Sequence, residues 1–208
     1  MTAQRTARRL LDLVVAITVL LVLAPVMAVI ALAIRAESRG PVIFRQRRLG
    51  QGLRPFTVLK FRTMRHEADA AVHRDYVHSL IARPEGAERR QLYKLSVDGR
   101  ITRVGRFLRS WSLDELPQLV NVLRGDMALV GPRPVIPYEV ERYPKRYLPR
   151  FTVKPGLTGL WQVSGRNERT YEEMVRFDIE YARQASLLLD LRILAKTVPV
   201  VFGRQGVA

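Results

Sequence analysis

The sequence has 208 residues, which is enough for one domain with an appendage. Its 35 Lys and Arg residues outnumber its 19 Asp and Glu residues, and the formal net charge is +16. This charge predicts an anionic partner, which would be a nucleic acid, an anionic membrane surface or a phosphorylated substrate. The chain contains no cysteine, which excludes disulfides, a thiolate nucleophile and a cysteine-based metal site.

An apolar stretch lies near the N-terminus, where residues 10–34 read LLDLVVAITVLLVLAPVMAVIALAI. About 25 residues at roughly 1.5 Å each reach across a hydrocarbon core of about 30 Å. A buried core helix and a cleaved signal peptide are the alternatives. However, the stretch is apolar on all sides, and it is longer than the roughly 7–15 apolar residues of a signal peptide. We therefore predict a membrane segment.

Basic residues flank this segment on both sides, and basic flanks prefer the cytoplasm. They are Arg5, Arg8 and Arg9 before the segment and Arg35, Arg39, Arg45, Arg47 and Arg48 after it. Pro25 lies in the middle, where its ring breaks or kinks a helix. A helix that is broken near Pro25, and that enters and leaves the membrane on one face, satisfies both observations.

A basic, glycine-punctuated stretch follows, in which residues 40–64 read GPVIFRQRRLGQGLRPFTVLKFRTM. Two short strands are predicted in PVIF and FTVLKF, joined by a loop that contains Gly50 and Gly52. The cations of this stretch are Arg45, Arg47, Arg48, Arg54, Lys60 and Arg62. They are suited to anionic headgroups, to a diphosphate, or to both. Nucleic-acid binding is disfavoured because the stretch has neither a recognition-helix pattern nor tight aromatic interleaving.

Asp114 and Glu115 stand side by side, just before a proline and an apolar run. One explanation is structural, because Ser112 and Glu115 have the spacing of a capping box at the start of a helix. The other is functional, because a carboxylate at a helix N-terminus is held ionised and can attack phosphorus or bind a metal ion. Adjacent helical residues point about 100° apart, which suits two different tasks. A divalent ion such as Mg²⁺ would screen such a carboxylate from phosphate.

Three stretches together resemble a known family: GPVIFRQRRLGQGLRPFTVLKFRTM, LDELPQLVNVLRGDMALVGPRP and VKPGLTGLWQVSGRN. They are similar to the bacterial sugar transferases, the small monotopic polyprenyl-phosphate phosphoglycosyl transferases that begin exopolysaccharide, O-antigen or glycoprotein glycan synthesis. The similarity runs from about Arg8 to about Lys196. Larger members carry four further membrane helices before this unit, so the chain is expected to be the minimal catalytic form.

The resemblance implies transfer of a sugar 1-phosphate from a UDP-sugar to undecaprenyl phosphate, with release of UMP. Asp114 matches the family's nucleophile, which carries the phosphosugar covalently, and Glu115 matches the residue that deprotonates the lipid phosphate. Mg²⁺ is expected at Asp114. The family's re-entrant helix is broken at Ser-Pro in some members, and the matching pair here is Ala24-Pro25, which lacks the serine hydroxyl.

The resemblance also implies a set of residues that bind the phosphates and the nucleotide. They are Lys60, Arg62, Arg109, Arg133 and Arg166. The expected partners are therefore a UDP-sugar, undecaprenyl phosphate and anionic membrane lipids, without nucleic acid, and the family is compatible with a homodimer. An inactive membrane scaffold of the same fold is the alternative function, which the intact Asp-Glu dyad disfavours. No residue identifies the sugar.

The expected fold is mixed α/β and mainly helical. Residues 1–36 are predicted to form the re-entrant helix-break-helix, and residues 37–208 a catalytic domain on the cytoplasmic face of the bacterial inner membrane. This domain is expected to contain short strands, a variable excursion at 66–98 and amphipathic helices near the C-terminus. The apolar faces of those helices are predicted either to pack in the core or to dock at the membrane interface, and the sequence does not decide between the two.

Overall fold

The computed structural model of the chain describes residues 2–65, 99–165 and 170–203. Its helices are α1 Thr2–Glu37, α2 Arg103–Ser110, α3 Gln118–Arg124, α4 Pro137–Val140, α5 Tyr171–Gln184 and α6 Leu187–Phe202. Its strands are β1 Ile43–Leu49, β2 Pro55–Phe61, β3 Ala128–Val130 and β4 Gly156–Thr158, and 3-10 turns occupy Gln51–Leu53, Leu113–Glu115 and Lys145–Thr152. The mixed, mainly helical class is confirmed. The excursion predicted at 66–98 lies outside the described residues.

Helix α1 is 36 residues long and largely uncovered in its middle. Leu21 and Val22 are 71% and 67% exposed, whereas Ala16 and Ile30 are buried. In the part of the chain that the structure describes, this is the one helix long and apolar enough to cross a membrane. The helix continues through Pro25, so the predicted break is not seen as a gap in the helix.

The N-terminal part of α1 is fixed to the rest of the chain by polar contacts. The Arg9 guanidinium donates to the carbonyl oxygens of Val122 and Leu123 at 2.6 and 2.8 Å, and so satisfies acceptors at the C-terminal end of α3. The Asp12 carboxylate accepts a hydrogen bond from the Leu129 N–H in β3 at 2.9 Å. These contacts give the polar side chains of an apolar helix partners within the protein.

Strands β1 and β2 form an antiparallel hairpin, in which Phe44 pairs with Lys60 and Leu49 with Pro55. Gly52 lies in the 3-10 turn that connects the strands and has a φ of +63°. Glycine adopts this positive φ readily because it has no Cβ. The two predicted strands and the glycine-containing loop are confirmed. The first strand begins at Ile43, two residues later than PVIF does, and continues as far as Leu49, because the arginines after Phe44 also join the ladder.

The edge of β2 that faces away from β1 is completed by one side chain. Asn121 of α3 is fully buried; its Oδ1 accepts from the Leu59 N–H at 3.0 Å, and its Nδ2 donates to the Thr57 carbonyl oxygen at 2.7 Å. The amide therefore imitates the peptide group of a neighbouring strand. This pairing fixes α3, and hence the residues just before it, against β2.

Strands β3 and β4 are parallel and lie in the main core, which includes Ala16, Val58, Val122 and Ile193. Helices α5 and α6 are the amphipathic helices predicted near the C-terminus. Part of α6 contributes to the core, whereas its Leu188, Leu191 and Val198 are 58%, 46% and 56% exposed. Core packing and an uncovered apolar face thus occur on the same helix.

We expect Asn121→Leu to destabilise the protein by roughly 2–5 kcal/mol, because it keeps a side chain of similar size but leaves two buried backbone groups unpaired. Thermal and denaturant unfolding in detergent would measure the loss in the free energy of unfolding. Leu119→Met, a volume-conserving change in the same helix, is the control and should cost less than about 1.5 kcal/mol. Equal losses for the two variants would contradict this role of the amide.

Candidate active site

The dyad lies in the 3-10 turn Leu113–Glu115, between α2 and α3. Ser112 precedes the turn with φ +55°, in the left-handed region, and its side chain makes no capping hydrogen bond. The predicted capping box is therefore wrong. The capping box does not form because an N-cap residue needs extended backbone dihedrals. The backbone of Ser112 is instead left-handed, and the chain turns sharply there before the dyad.

Glu115 is neutralised by a cation from β2. Its Oε1 lies 2.7 Å from the Lys60 Nζ, and both side chains are about one-third exposed or less. The register of the hairpin places Lys60 opposite Phe44, near the end of β2 that leads towards α2. An ion pair thus connects the second carboxylate of the dyad to the strand.

Asp114 has a different electrostatic environment. Burial raises its pKa to about 6, and the neighbouring charge of Glu115 adds to that rise. The cations of Lys60 and Arg109 oppose it. A helix N-terminus was expected to hold this carboxylate ionised, but α3 begins only at Gln118, so burial dominates. Because a pKa of about 6 lies below neutral pH, the carboxylate is still mostly ionised there.

Arg109 is at the C-terminal end of α2 and is held by the segment after β2. Its Nε donates to the Thr63 Oγ1 at 2.9 Å. Helix α2 lies directly on the Thr63 backbone, since a Cβ on Gly105 would be 2.1 Å from the Thr63 carbonyl oxygen. The segment that follows the strand of Lys60 and the helix that carries Arg109 are thus in backbone contact beside the dyad.

Arg62 lies two residues after Lys60 but serves a different neighbour. It is 5% exposed, and its Nη2 donates to the carbonyl oxygen and the Oγ of Ser38 at 2.7 and 2.8 Å. The structure therefore places Arg62 against the chain just after α1. Arg166, predicted to bind substrate with it, lies outside the described residues.

Arg133 is held at the other end of the hairpin. It follows β3, and nearby Val135 forms a bridge with Leu49, the last residue of β1. Lys60 is five positions along β2 from the partner of Leu49, which corresponds to roughly 16 Å at about 3.3 Å per residue. The structure thus brings together Asp114, Glu115, Lys60 and Arg109 but leaves the Arg133 backbone well away from them.

A buried ion pair fixes the Arg133 backbone where it is. Arg150 and Asp178 are each 1% exposed, and the Arg150 Nη2 binds the Asp178 Oδ2. The same Nη2 donates to the Arg133 carbonyl oxygen at 3.2 Å. Burial raises the pKa of Asp178 to about 6, while Arg150 and the Arg133 N–H favour the charged form. The carboxylate is therefore ionised at neutral pH and the pair is intact.

The donor set at the dyad fits a magnesium ion that is shared with a substrate. Mg²⁺ typically binds to one or two carboxylates together with substrate phosphates. Asp114 is a partly buried carboxylate that is mostly ionised at neutral pH. Within residues 2–65, 99–165 and 170–203, no group of three or more His, Cys, Asp or Glu side chains could hold a metal ion. An ion held by Asp114 and phosphate oxygens fits this arrangement, whereas an all-protein cage does not.

Three positions that hold the site were not among the predicted functional residues. Asn121 fixes α3 to β2, Thr63 binds Arg109, and Glu37 contacts the N-terminus of α2. No periodicity or motif in the sequence marks Thr63 or Glu37, because each acts through a contact with a residue far along the chain. A polar residue inside an apolar helical pattern was the available signal for Asn121.

The described residues thus combine an N-terminal helix long and apolar enough to cross a membrane, a short hairpin and an acidic dyad beside cations. The sequence model of the bacterial sugar transferase family matches residues 3–204, so the chain belongs to that family.

Several relatives are similar over nearly the whole chain. A "UDP-galactose-lipid carrier transferase" of Erwinia amylovora is 44% identical over 204 residues, which cover 98% of this chain and 42% of the relative. The "Exopolysaccharide production protein ExoY" of Sinorhizobium fredii is 40% identical, covering 96% of this chain and 87% of the relative. A "UDP-glucose:undecaprenyl-phosphate glucose-1-phosphate transferase" of Caulobacter vibrioides is 42% identical, covering 92% of this chain and 68% of the relative. The chain thus spans less than half the length of the first of them.

Proposed function

We propose that this protein transfers a sugar 1-phosphate from a UDP-sugar to undecaprenyl phosphate at the cytoplasmic face of the membrane, and releases UMP. The observation that carries the proposal is the asymmetry of the dyad. Glu115 is paired with Lys60, whereas Asp114 is a partly buried, mostly ionised carboxylate between the charges of Lys60 and Arg109. Two adjacent carboxylates with different environments are suited to two different roles.

In the first step, an Asp114 carboxylate oxygen attacks the phosphorus that is bonded to the sugar. The bond between this phosphorus and the bridging oxygen of the diphosphate breaks, and UMP leaves with both electrons. In the second step, an oxygen of undecaprenyl phosphate attacks the same phosphorus and displaces Asp114. Glu115 accepts the proton if the lipid phosphate arrives protonated. The product is a polyprenyl-diphospho-sugar and the free enzyme.

Lys60 and Arg109 reduce the repulsion between the Asp114 carboxylate and the anionic substrate, because their positive charges attract both negatively charged groups. A bound Mg²⁺ would polarise the phosphoryl oxygens and screen them from Asp114. In this proposal Arg133 binds a more distant part of an extended substrate, which is supported by the position of its backbone towards the loop end of the hairpin.

The transferred sugar is left open in this proposal. The relatives above carry galactose in one name and glucose in another, at similar identity to this chain. Overall similarity therefore gives no reason to prefer one sugar.

The membrane topology that we propose is re-entrant, with both ends of α1 in the cytoplasm. Two observations support it. Arg9 and Asp12 at one end contact α3 and β3. Ile34 and Glu37 at the other end contact α2, so both ends of α1 lie against the same domain. Leu20 packs against one buried cluster and Met27 against another. Residues 21–26 between them span only about 9 Å at roughly 1.5 Å per residue, less than a hydrocarbon core of about 30 Å.

We expect UDP-sugar alone to load the protein with a phosphosugar and to release UMP, followed by ping-pong kinetics when lipid is present. Asp114→Asn should abolish both the adduct and turnover, while Glu115→Gln should slow mainly the transfer to lipid. Intact-mass measurement and UMP release would test this. A ternary-complex pattern without an adduct, or an Asp114→Asn variant with near-normal turnover, would exclude the mechanism. A folded wild-type protein without any UMP release would favour the scaffold.

We expect chelation with EDTA to abolish turnover and added Mg²⁺ to restore it, because carboxylate attack on a diphosphate brings like charges together. The measurement is UMP release across a Mg²⁺ titration, with Ca²⁺ as the comparison ion. Full activity after exhaustive chelation would argue against a metal ion at Asp114.

We expect cysteines placed separately at Gln4 and Arg54 to be protected in intact spheroplasts from a membrane-impermeant thiol reagent, and to be labelled after lysis. Both positions are exposed, and the chain has no cysteine of its own. A cysteine in an exported loop of a known membrane protein serves as the positive control. Labelling at position 4 in intact cells would show that α1 spans the membrane.

A further inference from the structure

The N-terminus of α2 is held by a residue of α1. The first backbone N–H groups of any helix have no acceptor within the helix. In α2, the N–H groups of Arg103 and Val104 donate to the two carboxylate oxygens of Glu37, at 2.7 and 2.9 Å. Glu37 is the last residue of α1, and 65 residues of sequence separate it from Arg103.

The other donors at this end of α2 have partners of their own. The Thr102 N–H donates to the Thr63 carbonyl oxygen at 3.1 Å, and the Gly105 N–H donates to the Thr102 Oγ1 at 2.9 Å. All four donors of the first turn are therefore satisfied, two of them by Glu37. The local cap from Thr102 is of the kind that starts a helix. The bonds to Glu37 add a connection between two elements.

The opposite end of α2 leads directly into the candidate active site. Arg109 in its last turn is bonded to Thr63, and the dyad follows within six residues. The same helix also packs on α1, because Leu108 lies in one buried cluster with Ile30 and Ile34. The apolar residues on either side of the dyad complete this cluster. They are Leu113 and Leu116.

We infer that Glu37 is a positioning residue for the dyad, an inference that rests on the proposed function. It acts through α2: the carboxylate holds the helix N-terminus against the end of the membrane segment, and α2 in turn sets the position of Arg109 and of the turn with Asp114. A negative charge at the positive end of a helix dipole favours this arrangement. The membrane segment therefore aligns the reacting carboxylate as well as anchoring the protein.

The experiment compares Glu37→Ala with Thr170→Ala in full-length protein in membranes. Thr170 is the matched control because its hydroxyl caps α5, accepting from the Glu173 N–H, and has no part in the contact with α1. The readouts are the single-turnover rate of phosphosugar formation, the dissociation constant for UDP and the melting temperature. Since a displacement of about 1 Å can reduce a rate on the order of a hundredfold, we expect Glu37→Ala to lower the rate at least about tenfold.

For Glu37→Ala, the dissociation constant for UDP should stay within about twofold of wild type, because binding alone does not need an aligned nucleophile. Thr170→Ala should keep a near-normal rate at a comparable loss of melting temperature. Glu37→Gln, which keeps an acceptor oxygen, should lose less of the rate than Glu37→Ala.

A normal rate for Glu37→Ala, an equal loss for Thr170→Ala, or a loss of UDP binding in proportion to the rate would each overturn the inference. Unfolding of both Glu37 variants would assign the residue to folding and would overturn it as well. A wild-type protein that forms no phosphosugar would instead refute the proposed function, so the two failures are distinguishable.

Discussion

The arrangement of this protein depends on the contact of α1 with the same domain near both of its ends. A long apolar helix carries few polar groups, and two of those near the N-terminus of α1 have partners in the domain. Arg9 binds the end of α3, and Asp12 binds the backbone of β3. At the other end, Glu37 binds α2. Ionisable groups inside a membrane are costly without partners, and these contacts determine how the helix meets the domain.

This arrangement places the dyad between two helices that α1 contacts. Helix α2 ends just before the dyad, and α3 begins just after it. The hairpin supplies the third support, since Lys60 binds Glu115 and the Asn121 amide fixes α3 to β2. The electrostatic difference between the two carboxylates follows from these supports. Glu115 has a cation in direct contact, whereas burial has the largest effect on the pKa of Asp114.

Local patterns in the sequence predicted the elements well, because those patterns report local structure. The hairpin followed from two β-rich runs with glycines between them, and α5 and α6 from the amphipathic stretches near the C-terminus. The apolar run predicted the helical segment, although the break expected near Pro25 is not seen as a gap in α1. The adjacency of Asp114 and Glu115 marked the site. The capping box failed because the motif assumes an extended Ser112, whose backbone is instead left-handed. The contacts of Glu37, Thr63 and Asn121 were beyond reach, since each joins residues that only the folded chain brings together.

Gly105 gives the joint between β2 and α2 an unusual property. Its missing side chain lets the helix rest on the Thr63 backbone, where any Cβ would come within 2.1 Å of an oxygen atom. The spacing between α2 and the segment after β2 is therefore set by two backbones in direct contact. Core side chains can be exchanged elsewhere during evolution without altering that spacing, because no side chain lies between the two. This contact does not depend on which side chains surround it, but it does not tolerate any other residue at Gly105.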